Sequence, residues 1–550
     1  MHAIRRSARW LAATGTAALL VVLGWGVGPA AAAGGIEVDY QNPVSAAPPV
    51  SHPDTPHCSV TVMRHDFANS YNSPYTGTVA PPAACPGPWN KVVLGWSGSV
   101  QGRQYDRLAG VWIGGAEVLR TSTPEPDPDG ISWSVEKDVT PFAPLLHSAQ
   151  PLVVDLGNIV DTTYTGVYHM TLTLTYYQAD AAHPAPRAAD QVLPLSNGST
   201  TQAGWWSLGA GGSASRSVVF PRNLTSVRME VYARGGGCDE QWFTAVPSDL
   251  AAEYPDYLCG GGPYREVQVA VDGRPAGLAQ PYPVVYSGGI VPTLWRPIPA
   301  IDQFLTQPYD IDLTPFAGEL TDGRPHTVTI TPYGSADEWI VDGTLFLDTD
   351  HGSEQTTGAL TADTLNADPG VTTTETPGSG AASGETDVRV RAERAWHTSG
   401  YLLTSHGRVT TTVAQDAHYL NTDAVSSAGQ RQVMAQQEYG STTVTANGRA
   451  VRESWSYPIT VDSYIPLYTD GNDYRLQATV TQGRILDGPD GWTDDRLSAT
   501  GVLARSDGTV TAADGSGSEH WTGSTDTGSC YDHLLTADHG YLTQDRVSRC

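Results

Sequence analysis

Lysine is nearly absent from this chain, which carries it at Lys91 and Lys137 alone, and the formal net charge is -27. Nucleic acids and anionic membrane surfaces attract basic proteins, so this charge argues against both as partners. The acidic residues are spread along the chain rather than gathered in a tail, which is typical of a solubilising surface. An uncharged ligand such as a carbohydrate is compatible with this charge.

Long apolar runs are also missing after the N-terminus, and no later stretch is apolar enough to cross a bilayer. The apolar residues 10–27 follow Arg5, Arg6 and Arg9 and precede several small residues, so residues 1–33 are predicted to be a signal peptide. The arginine pair leaves twin-arginine export open, although general secretion fits the following residues better. We therefore expect a secreted protein without a membrane anchor, acting as a monomer.

The sequence has no cysteine or histidine spacing typical of a zinc site, and it has no Gly-x-Ser-x-Gly motif of a serine nucleophile. We expect no metal and no cofactor. Six cysteines in an exported chain predict disulfides, for which 15 connectivities are possible. Pairing each cysteine with its neighbour closes a short loop within one domain. The expected pairs are Cys58 with Cys85, Cys238 with Cys259, and Cys530 with Cys550.

Helical periodicity is not convincing anywhere after the leader, whereas alternation of apolar and polar residues is frequent. The clearest examples are YHMTLTLTYYQ (168–178), TSVRMEVYARGGG (225–237), REVQVAVDG (265–273) and HTVTITPYG (326–334). Many short strands, together with 58 glycines and 39 prolines for turns, favour antiparallel sheets. The predicted fold class is all-β, with two jelly-roll-like β-sandwiches packed side by side and a C-terminal β-rich module.

Two changes in composition divide the chain. An Ala/Pro-rich stretch covers residues 178–191, and a Thr/Gly/Ser-rich stretch covers residues 368–386. The predicted domains are the first sandwich, 34–180; the second sandwich, 190–360; a flexible linker, 361–386; and the C-terminal module, 387–550.

Two segments combine acids, aromatics and glycines more densely than packing requires. The first is residues 92–142, which contain GRQYDRLAGVW, and the second is GGGCDEQWFTAVP, residues 235–247. Taken alone, Asp106 in the first segment reads as the acid of a surface ion pair with Arg103 or Arg107. Glu240 in the second reads as a solvated loop acid, although a disulfide-bonded Cys238 would hold its loop rigidly.

These segments resemble the peptide:N-glycanases of the A type. The resemblance extends over residues 55–360 and includes RTSTPEP, ISWSVEKDVTPF, FPRNLTSVRMEVYARGGGCDEQWFT, GPYREVQVAVDGRPAGLAQPYPVVYSGGIVPTLWRPI and YDIDLTPFAGEL. The residues after 368 share a general sequence pattern, but no specific motif, with the longer C-terminal part of some members. The family activity is hydrolysis of the amide bond between an asparagine side chain and its N-linked glycan, which converts Asn to Asp.

A more distant resemblance, to peptide-N-glycosidase F, implies an active site between two jelly rolls. YDRLAGVW is similar to the element that carries its principal catalytic acid, which implies that role for Asp106. CDEQWFT is similar to the element with its second carboxylate, which implies Glu240. That enzyme uses another glutamate late in its first roll. The matching position here is Gly157, and Asp155 is the nearest acid.

On this resemblance, Asp106 contacts the scissile amide and Glu240 positions or activates water, while Arg107 or Arg296 stabilises charge. Asp239 is expected to support Glu240. Further candidates for substrate contact are Glu125, Trp295, Asp155 and Glu266. Each also has an ordinary structural explanation, because Pro-rich turns, core tryptophans and strand ion pairs are common.

The predicted function is therefore a secreted amidohydrolase acting on N-glycosylated peptides or glycoproteins. Two alternatives remain open at this level. An endoglycosidase would also use two carboxylates but would leave one sugar on the asparagine. A non-catalytic glycan-binding protein would share the jelly rolls without needing facing acids.

Overall fold

A computed structural model of the chain describes residues 40–378 and 385–550. The predicted signal peptide, residues 1–33, lies outside the described residues, as do residues 379–384 of the predicted linker. Strands make up 56 % of the structure and helices 6 %. The all-β prediction is confirmed.

The first sandwich consists of eight antiparallel strands in two four-stranded sheets, with strand orders β1-β8-β3-β6 and β2-β7-β4-β5. This order is that of a jelly roll, in which two Greek keys close on one core. The strands are β1 His57–Phe67, β2 Tyr75–Val79, β3 Trp89–Val100, β4 Leu108–Ile113, β5 Ala116–Ser122, β6 Ile131–Asp138, β7 Gln150–Leu156 and β8 Tyr168–Gln178.

The second sandwich repeats the same topology, with sheets β10-β17-β12-β15 and β11-β16-β13-β14, so that the strands from β10 to β17 correspond in order to β1 to β8. One extra strand, β9, pairs with β17. The strands are β9 Gln191–Pro194, β10 Trp206–Leu208, β11 Ala214–Val219, β12 Leu224–Gly235, β13 Glu266–Val271, β14 Arg274–Ala279, β15 Tyr309–Asp312, β16 Pro325–Tyr333 and β17 Trp339–Thr349.

The C-terminal module is one antiparallel sheet of twelve strands, several of them unusually long. They are β18 Thr357–Asp363, β19 Thr372–Pro377, β20 Thr386–Thr404, β21 Gly407–Ser426, β22 Arg431–Ala446, β23 Arg449–Ser456, β24 Ile459–Asp470, β25 Asp473–Gly488, β26 Gly491–Ser506, β27 Thr509–Ser524, β28 Cys530–Asp538 and β29 Tyr541–Ser548.

The prediction of a flexible linker at 361–386 is wrong for much of that stretch. Strands β18 and β19 both pair with β20 and so belong to the edge of the C-terminal sheet. All six residues of β19 are exposed. An exposed edge strand shows no apolar alternation, although its threonines favour extended backbone.

Helical segments are short and mark turns between strands. The α-helices are α1 Ala143–Leu146, α2 Ser248–Glu253 and α3 Ala317–Leu320, and the 3₁₀ turns are Thr140–Phe142, Gly237–Thr244, Pro292–Trp295 and Thr314–Phe316. Within residues 40–378 and 385–550, none of these helices has the length and hydropathy needed to span a membrane.

All three disulfides are present in the structure with the expected pairing. Cys58–Cys85, Cys238–Cys259 and Cys530–Cys550 each close a loop within one domain. The second of these anchors the 3₁₀ turn that carries Glu240.

The two sandwiches meet across an interface of buried polar groups. The indole nitrogen of Trp112 donates to Asp342 Oδ2 at 2.7 Å, and Arg120 donates to the carbonyl of Ile340 at 2.8 Å. Glu117 binds Arg120 through both carboxylate oxygens at 2.8 Å, so its buried charge is paired. Such directional contacts set the angle between the two jelly rolls and hence the shape of the cleft between them.

The C-terminal sheet shares an apolar core with the second sandwich, in which Val227 and Val269 cluster with Val388 and Val480. The N-terminal segment joins all three domains. Tyr40 binds Asp127 of the first sandwich, Val44 binds the carbonyl of Pro297, and Ala46 binds Glu519. The C-terminal module is therefore integrated into the molecule.

Candidate active site

Asp106 and Glu125 come together because they flank a single hairpin. Strands β4 and β5 pair from Leu108 with Ser122 onwards, so the residue before β4 lies beside the residue after β5. Arg107 and Thr123 extend the pairing, with the Thr123 amide donating to the Arg107 carbonyl at 3.0 Å. The hairpin therefore delivers two carboxylates to one end of the first sandwich.

A glycine loop of the second sandwich approaches both acids. A Cβ added to Gly288 would lie 3.1 Å from Glu125 Oε1 and 3.2 Å from Asp106 Oδ1, so both carboxylates border the same point. The next residue, Gly289, lies against Gln241, the neighbour of Glu240. Any side chain at Gly288 would crowd the two acids, which is the physical reason for glycine there.

Backbone strain accompanies this loop. Ile290 has a φ of 63°, a left-handed conformation that β-branched residues rarely adopt. The indole nitrogen of Trp295 donates to the Gly289 carbonyl at 2.8 Å and helps to hold the loop. Strain of this kind persists only where surrounding contacts impose it, often at functional sites.

Glu240 lies on the 3₁₀ turn Gly237–Thr244, which packs so closely on β12 that two of the three preceding glycines, Gly235 and Gly237, are required. A Cβ at Gly235 would lie 2.0 Å from the Asp239 carbonyl, and Gly237 has a φ of 57°. Asp239 is fully buried and accepts hydrogen bonds from Arg265, from the Trp339 indole at 2.7 Å and from the Ala336 amide at 2.8 Å. Asp239 therefore anchors the turn.

Arg234 links Glu240 to the cleft. Its guanidinium binds Glu240 Oε2 at 2.8 Å and stacks over the ring of Tyr286, 4.3 Å from the ring centroid. Both members of the ion pair are largely shielded from solvent, with side chains 13 % and 17 % exposed. An ion pair with so little solvent around it holds Glu240 in one orientation.

Electrostatics show that the acids of the two sandwiches interact. The pKa of Asp106 is raised to about 8, first by burial and then by the charges of Glu240 and Glu125. Arg234 and Arg107 oppose this rise. Among residues 40–378 and 385–550, no ion pair at salt-bridge distance joins Asp106 to Arg103 or Arg107, although the charge of Arg107 acts on it. Asp106 thus lies at the meeting point of the two jelly rolls.

Glu125 forms the other flank of the cluster. Arg296 donates to Glu125 Oε2 at 3.1 Å and stacks over the ring of Tyr40 at 4.8 Å. Burial raises the pKa of Glu125, whereas Arg296 lowers it. Glu125, which was expected as a substrate contact, therefore lies beside Asp106.

Three predicted substrate contacts lie elsewhere. Asp155 is on β7 beside Gly110, and burial alone raises its pKa to about 6, without a contribution from the cleft acids. Trp295 is 3 % exposed and packs in the core. Its indole nitrogen donates to the Gly289 carbonyl and so holds the glycine loop. Glu266 is fully buried and binds Arg394 of the C-terminal module at 2.7 and 2.8 Å. Trp295 and Glu266 therefore do not face the cleft, and Asp155 is not among the main charges that act on Asp106.

The sequence prediction missed Arg234, Tyr286 and Gly288. Arg234 is the last residue of β12 before the triple glycine begins at Gly235, and Gly288 belongs to the pair Gly288–Gly289. Nothing in the spacing of these residues connects them with Asp106, because they lie in the other sandwich. Arg107 and Arg296, which were predicted, do lie beside Asp106 and Glu125 respectively.

Two jelly rolls with interacting carboxylates at their junction define a candidate acid–base hydrolase of the double β-sandwich class. Residues 43–366 match the family described as peptide N-acetyl-beta-D-glucosaminyl asparaginase amidase A, and residues 387–459 match the PNGase_A C-terminal domain. A relative from Prunus dulcis, peptide-N4-(N-acetyl-beta-glucosaminyl)asparagine amidase A, is 34 % identical over 437 residues, which cover 76 % of this chain and 75 % of the relative. The chain belongs to the peptide N-acetyl-beta-D-glucosaminyl asparaginase amidase A family.

Solved structures also resemble the chain. One is PNGF-II, with 15 % identity and a TM-score of 0.37, covering 54 % of this chain and 66 % of that one. Another is PNGase F, a glycosylasparaginase from Flavobacterium meningosepticum, with 13 % identity and a TM-score of 0.34, covering 54 % of this chain and 96 % of that one. The family assignment follows from the sequence matches above.

Proposed function

We propose that this protein hydrolyses the amide bond between an asparagine side chain and the first N-acetylglucosamine of an N-linked glycan. The observation that carries the proposal is the junction of the two jelly rolls, where Gly288 borders Asp106 and Glu125 and the charge of Glu240 acts on Asp106. Burying a carboxyl cluster is costly, and carboxyls with strongly perturbed pKa values in a cleft are enriched at catalytic sites, so the cluster favours an enzyme over a protein that only binds glycans.

The first step in the proposed reaction is attack by water on the amide carbon. Glu240, oriented by Arg234, accepts a proton from the water as its oxygen bonds to the carbon. Negative charge then develops on the amide oxygen, and the guanidinium groups beside the cluster stabilise it. Glu240 is suited to this step because its ion pair fixes it at the edge of the cleft.

Asp106 is assigned the second step. With its pKa raised to about 8, it carries a proton at neutral pH and can donate it to the departing nitrogen as the carbon–nitrogen bond breaks. The products are the glycosylamine and a peptide in which Asn has become Asp, so the net reaction consumes one water. Glu125, bound to Arg296, lies beside Asp106 and raises its pKa further.

A single assay tests this function. A purified glycopeptide is incubated with the protein in water enriched in oxygen-18, and both products are analysed by mass spectrometry. We expect an aspartate that contains one labelled oxygen, together with a released intact glycan. A peptide that keeps one N-acetylglucosamine would instead identify an endoglycosidase. Binding without any product would identify a lectin.

The pH dependence follows from the raised pKa of Asp106. If Asp106 must be protonated to act as the acid, kcat/KM falls as pH rises through about 8, because the carboxyl loses its proton there. Measurement of kcat/KM between about pH 5 and 10 checks this. The apparent pKa belongs to the coupled carboxyl cluster rather than to one residue.

A matched control for the pH profile is Asp155→Asn, which removes another carboxyl of raised pKa that lies outside the cluster. It is expected to leave the alkaline limb in place. A wild-type kcat/KM that instead increases through pH 8 would make Asp106 the base and reverse the assignment of the two acids.

We also propose that the protein is secreted. The signal-peptide pattern at residues 1–33 and three disulfides support this, because disulfides persist in oxidising compartments. The expected partners are N-glycosylated peptides or glycoproteins, and we expect the protein to act as a monomer.

A further inference from the structure

The C-terminal module reaches the edge of the cleft through β26 and β27. Thr293 donates through its hydroxyl to the Val502 carbonyl at 3.1 Å. A Cβ at Gly501 would lie 2.7 Å from Thr293 Oγ1, and one at Gly515 would lie 2.0 Å from the Thr293 carbonyl oxygen. The glycines of the sheet therefore contact the backbone at Thr293 directly. Thr293 lies three residues before Arg296, the partner of Glu125.

Arg505 is three residues beyond Val502 on the same strand and pairs across the sheet with Tyr474 of β25. Its Nε donates to the Tyr474 hydroxyl at 3.2 Å, and its Nη1 donates to the Gly508 carbonyl at 3.0 Å. No protein acceptor is in hydrogen-bond reach of Nη2 among residues 40–378 and 385–550. The guanidinium is thus fixed along one edge and free to donate along the other.

A second arginine lies opposite, on the first sandwich. The Arg103 guanidinium stacks over the Tyr164 ring at 5.6 Å, and the Tyr164 hydroxyl donates to that of Tyr105 at 2.8 Å. In the described part of the chain, the Arg103 guanidinium has no carboxylate or carbonyl partner. Both arginines are partly exposed, so their donors are accessible to a ligand.

Different charged groups act on Glu125 and on Asp106. Arg103 and Arg505 both act on Glu125, and both act on Tyr474. The charged groups that act on Asp106 are instead Glu240, Glu125, Arg234 and Arg107. The two arginines therefore border Glu125, the acid beside Asp106.

We propose that Arg103 and Arg505, with the ring of Tyr164, form a carbohydrate subsite for glycan residues beyond the first N-acetylglucosamine, in which the buried Tyr474 holds Arg505 in place. This proposal depends on the proposed function of the cleft. Sugar hydroxyl and N-acetyl oxygens accept hydrogen bonds from fixed guanidinium groups, and aromatic rings pack on the apolar faces of pyranoses. The C-terminal module would then complete the substrate site with Arg505.

The test compares Arg505→Ala with the wild-type protein on two substrates that share one peptide. One substrate carries a single N-acetylglucosamine, and the other carries the core of two N-acetylglucosamines and three mannoses. We expect KM for the core glycopeptide to rise by about 10-fold or more, since one hydrogen bond to a charged group is lost. Both parameters for the single-sugar substrate, and kcat for the core substrate, are expected to change by less than about twofold.

Arg475→Ala is the matched control, because Arg475 follows Tyr474 on β25 and is exposed on the opposite face of the sheet. It is expected to leave both substrates unaffected. Tyr474→Phe removes the hydroxyl that fixes Arg505 without shortening the ring, and it is expected to raise KM for the core substrate by a smaller factor. Thermal unfolding of each variant verifies that the module remains folded.

Equal effects of Arg505→Ala on the two substrates would overturn the proposal, because the arginine would then act on the peptide or on the first sugar. An unchanged KM for the core substrate in a folded variant would also overturn it. In both cases the wild-type protein would still release the glycan, so the proposed function would stand. Absence of any wild-type turnover would instead refute the proposed function.

Discussion

The Asp106→Asn substitution is expected to lower kcat/KM on a glycopeptide by about 10²- to 10⁴-fold, the usual contribution of one general acid–base group. Asparagine keeps the size of the side chain but has no acidic proton to transfer to the leaving nitrogen. The alkaline limb assigned to the pKa of about 8 is expected to disappear from the residual activity. The measurement is kcat/KM with a fluorescent glycopeptide across the pH range.

Stability distinguishes this chemical effect from misfolding. Burial and two neighbouring carboxylates raise the pKa of Asp106 from 3.8 to about 8, so its contribution to the free energy of folding becomes steadily less favourable as the pH rises from about 4 to 8, and removal of the titrating group removes that cost. Asp106→Asn is therefore expected to be at least as stable as the wild type at alkaline pH, while it is almost inactive. Activity within about threefold of wild type would exclude Asp106 from the proton transfer.

Glu240→Gln provides the matching variant in the second sandwich. It keeps a hydrogen-bond acceptor for Arg234 but cannot take the proton from water. If the two acids divide one reaction, the double variant is expected to lose far less than the product of the two single losses. Glycan affinity, measured by calorimetry with a non-hydrolysed ligand, is expected to persist in both variants.

The sequence predicted the jelly rolls because their strands are half-buried. Alternation such as that of Met170, Leu172 and Leu174 marks one dry face, and the structure buries all three. The edge strand β19 had no such signal, because its residues are exposed on both faces, and it was predicted to be a linker. Alternation therefore reveals strands only where one face of the sheet is covered.

The site was only partly predictable for a different reason. Asp106 and Glu240 each lie in a distinctive local segment, whereas the third acid depends on the path of a hairpin. Asp155 is closer to the expected position in sequence, yet the pairing of β4 with β5 brings Glu125 beside Asp106 instead. Glu125 was expected only as a substrate contact, because its place beside Asp106 follows from strand pairing and not from a local pattern.

The partner of Glu266 could not be predicted from its neighbours in the sequence, because it is set by burial between two domains. Glu266 opens β13 beside Arg265 and was expected either to contact the substrate or to form an ion pair on its strand. The structure pairs Arg265 with Asp239 and pairs Glu266 with Arg394, which is 128 residues away. Side chains next to each other on a strand point to opposite faces, so they seldom form the buried pair.

The Glu266→Ala substitution is expected to destabilise the protein by about 3–5 kcal/mol, because it leaves the Arg394 guanidinium buried without its carboxylate. Both groups are shielded, with side-chain exposures of 0 % and 7 %. The pair joins the second sandwich to the C-terminal sheet, so the variant is expected to loosen that module first. Urea unfolding followed by tryptophan fluorescence, with limited proteolysis of the module, measures the change.

The two halves of this pair are expected to contribute unequally. Arginine keeps its charge at all accessible pH values, whereas a glutamate that has lost its cation can become neutral by binding a proton. Arg394→Ala is therefore expected to cost less than Glu266→Ala at pH 5. As the pH rises, Glu266 in folded Arg394→Ala must either keep a proton that it releases in the unfolded state or become a buried, unpaired charge. The stability of Arg394→Ala is therefore expected to fall with rising pH.

Arg391→Ala on the same strand is the control for the loss of an arginine, because Arg391 is exposed. It is expected to change the free energy of unfolding by less than about 0.5 kcal/mol. Replacing both members of the pair with methionine is expected to recover most of the stability, since a well-packed apolar pair often matches a buried ion pair. Equal, small effects of Glu266→Ala and Arg391→Ala would mean that this ion pair does not hold the C-terminal sheet against the second jelly roll.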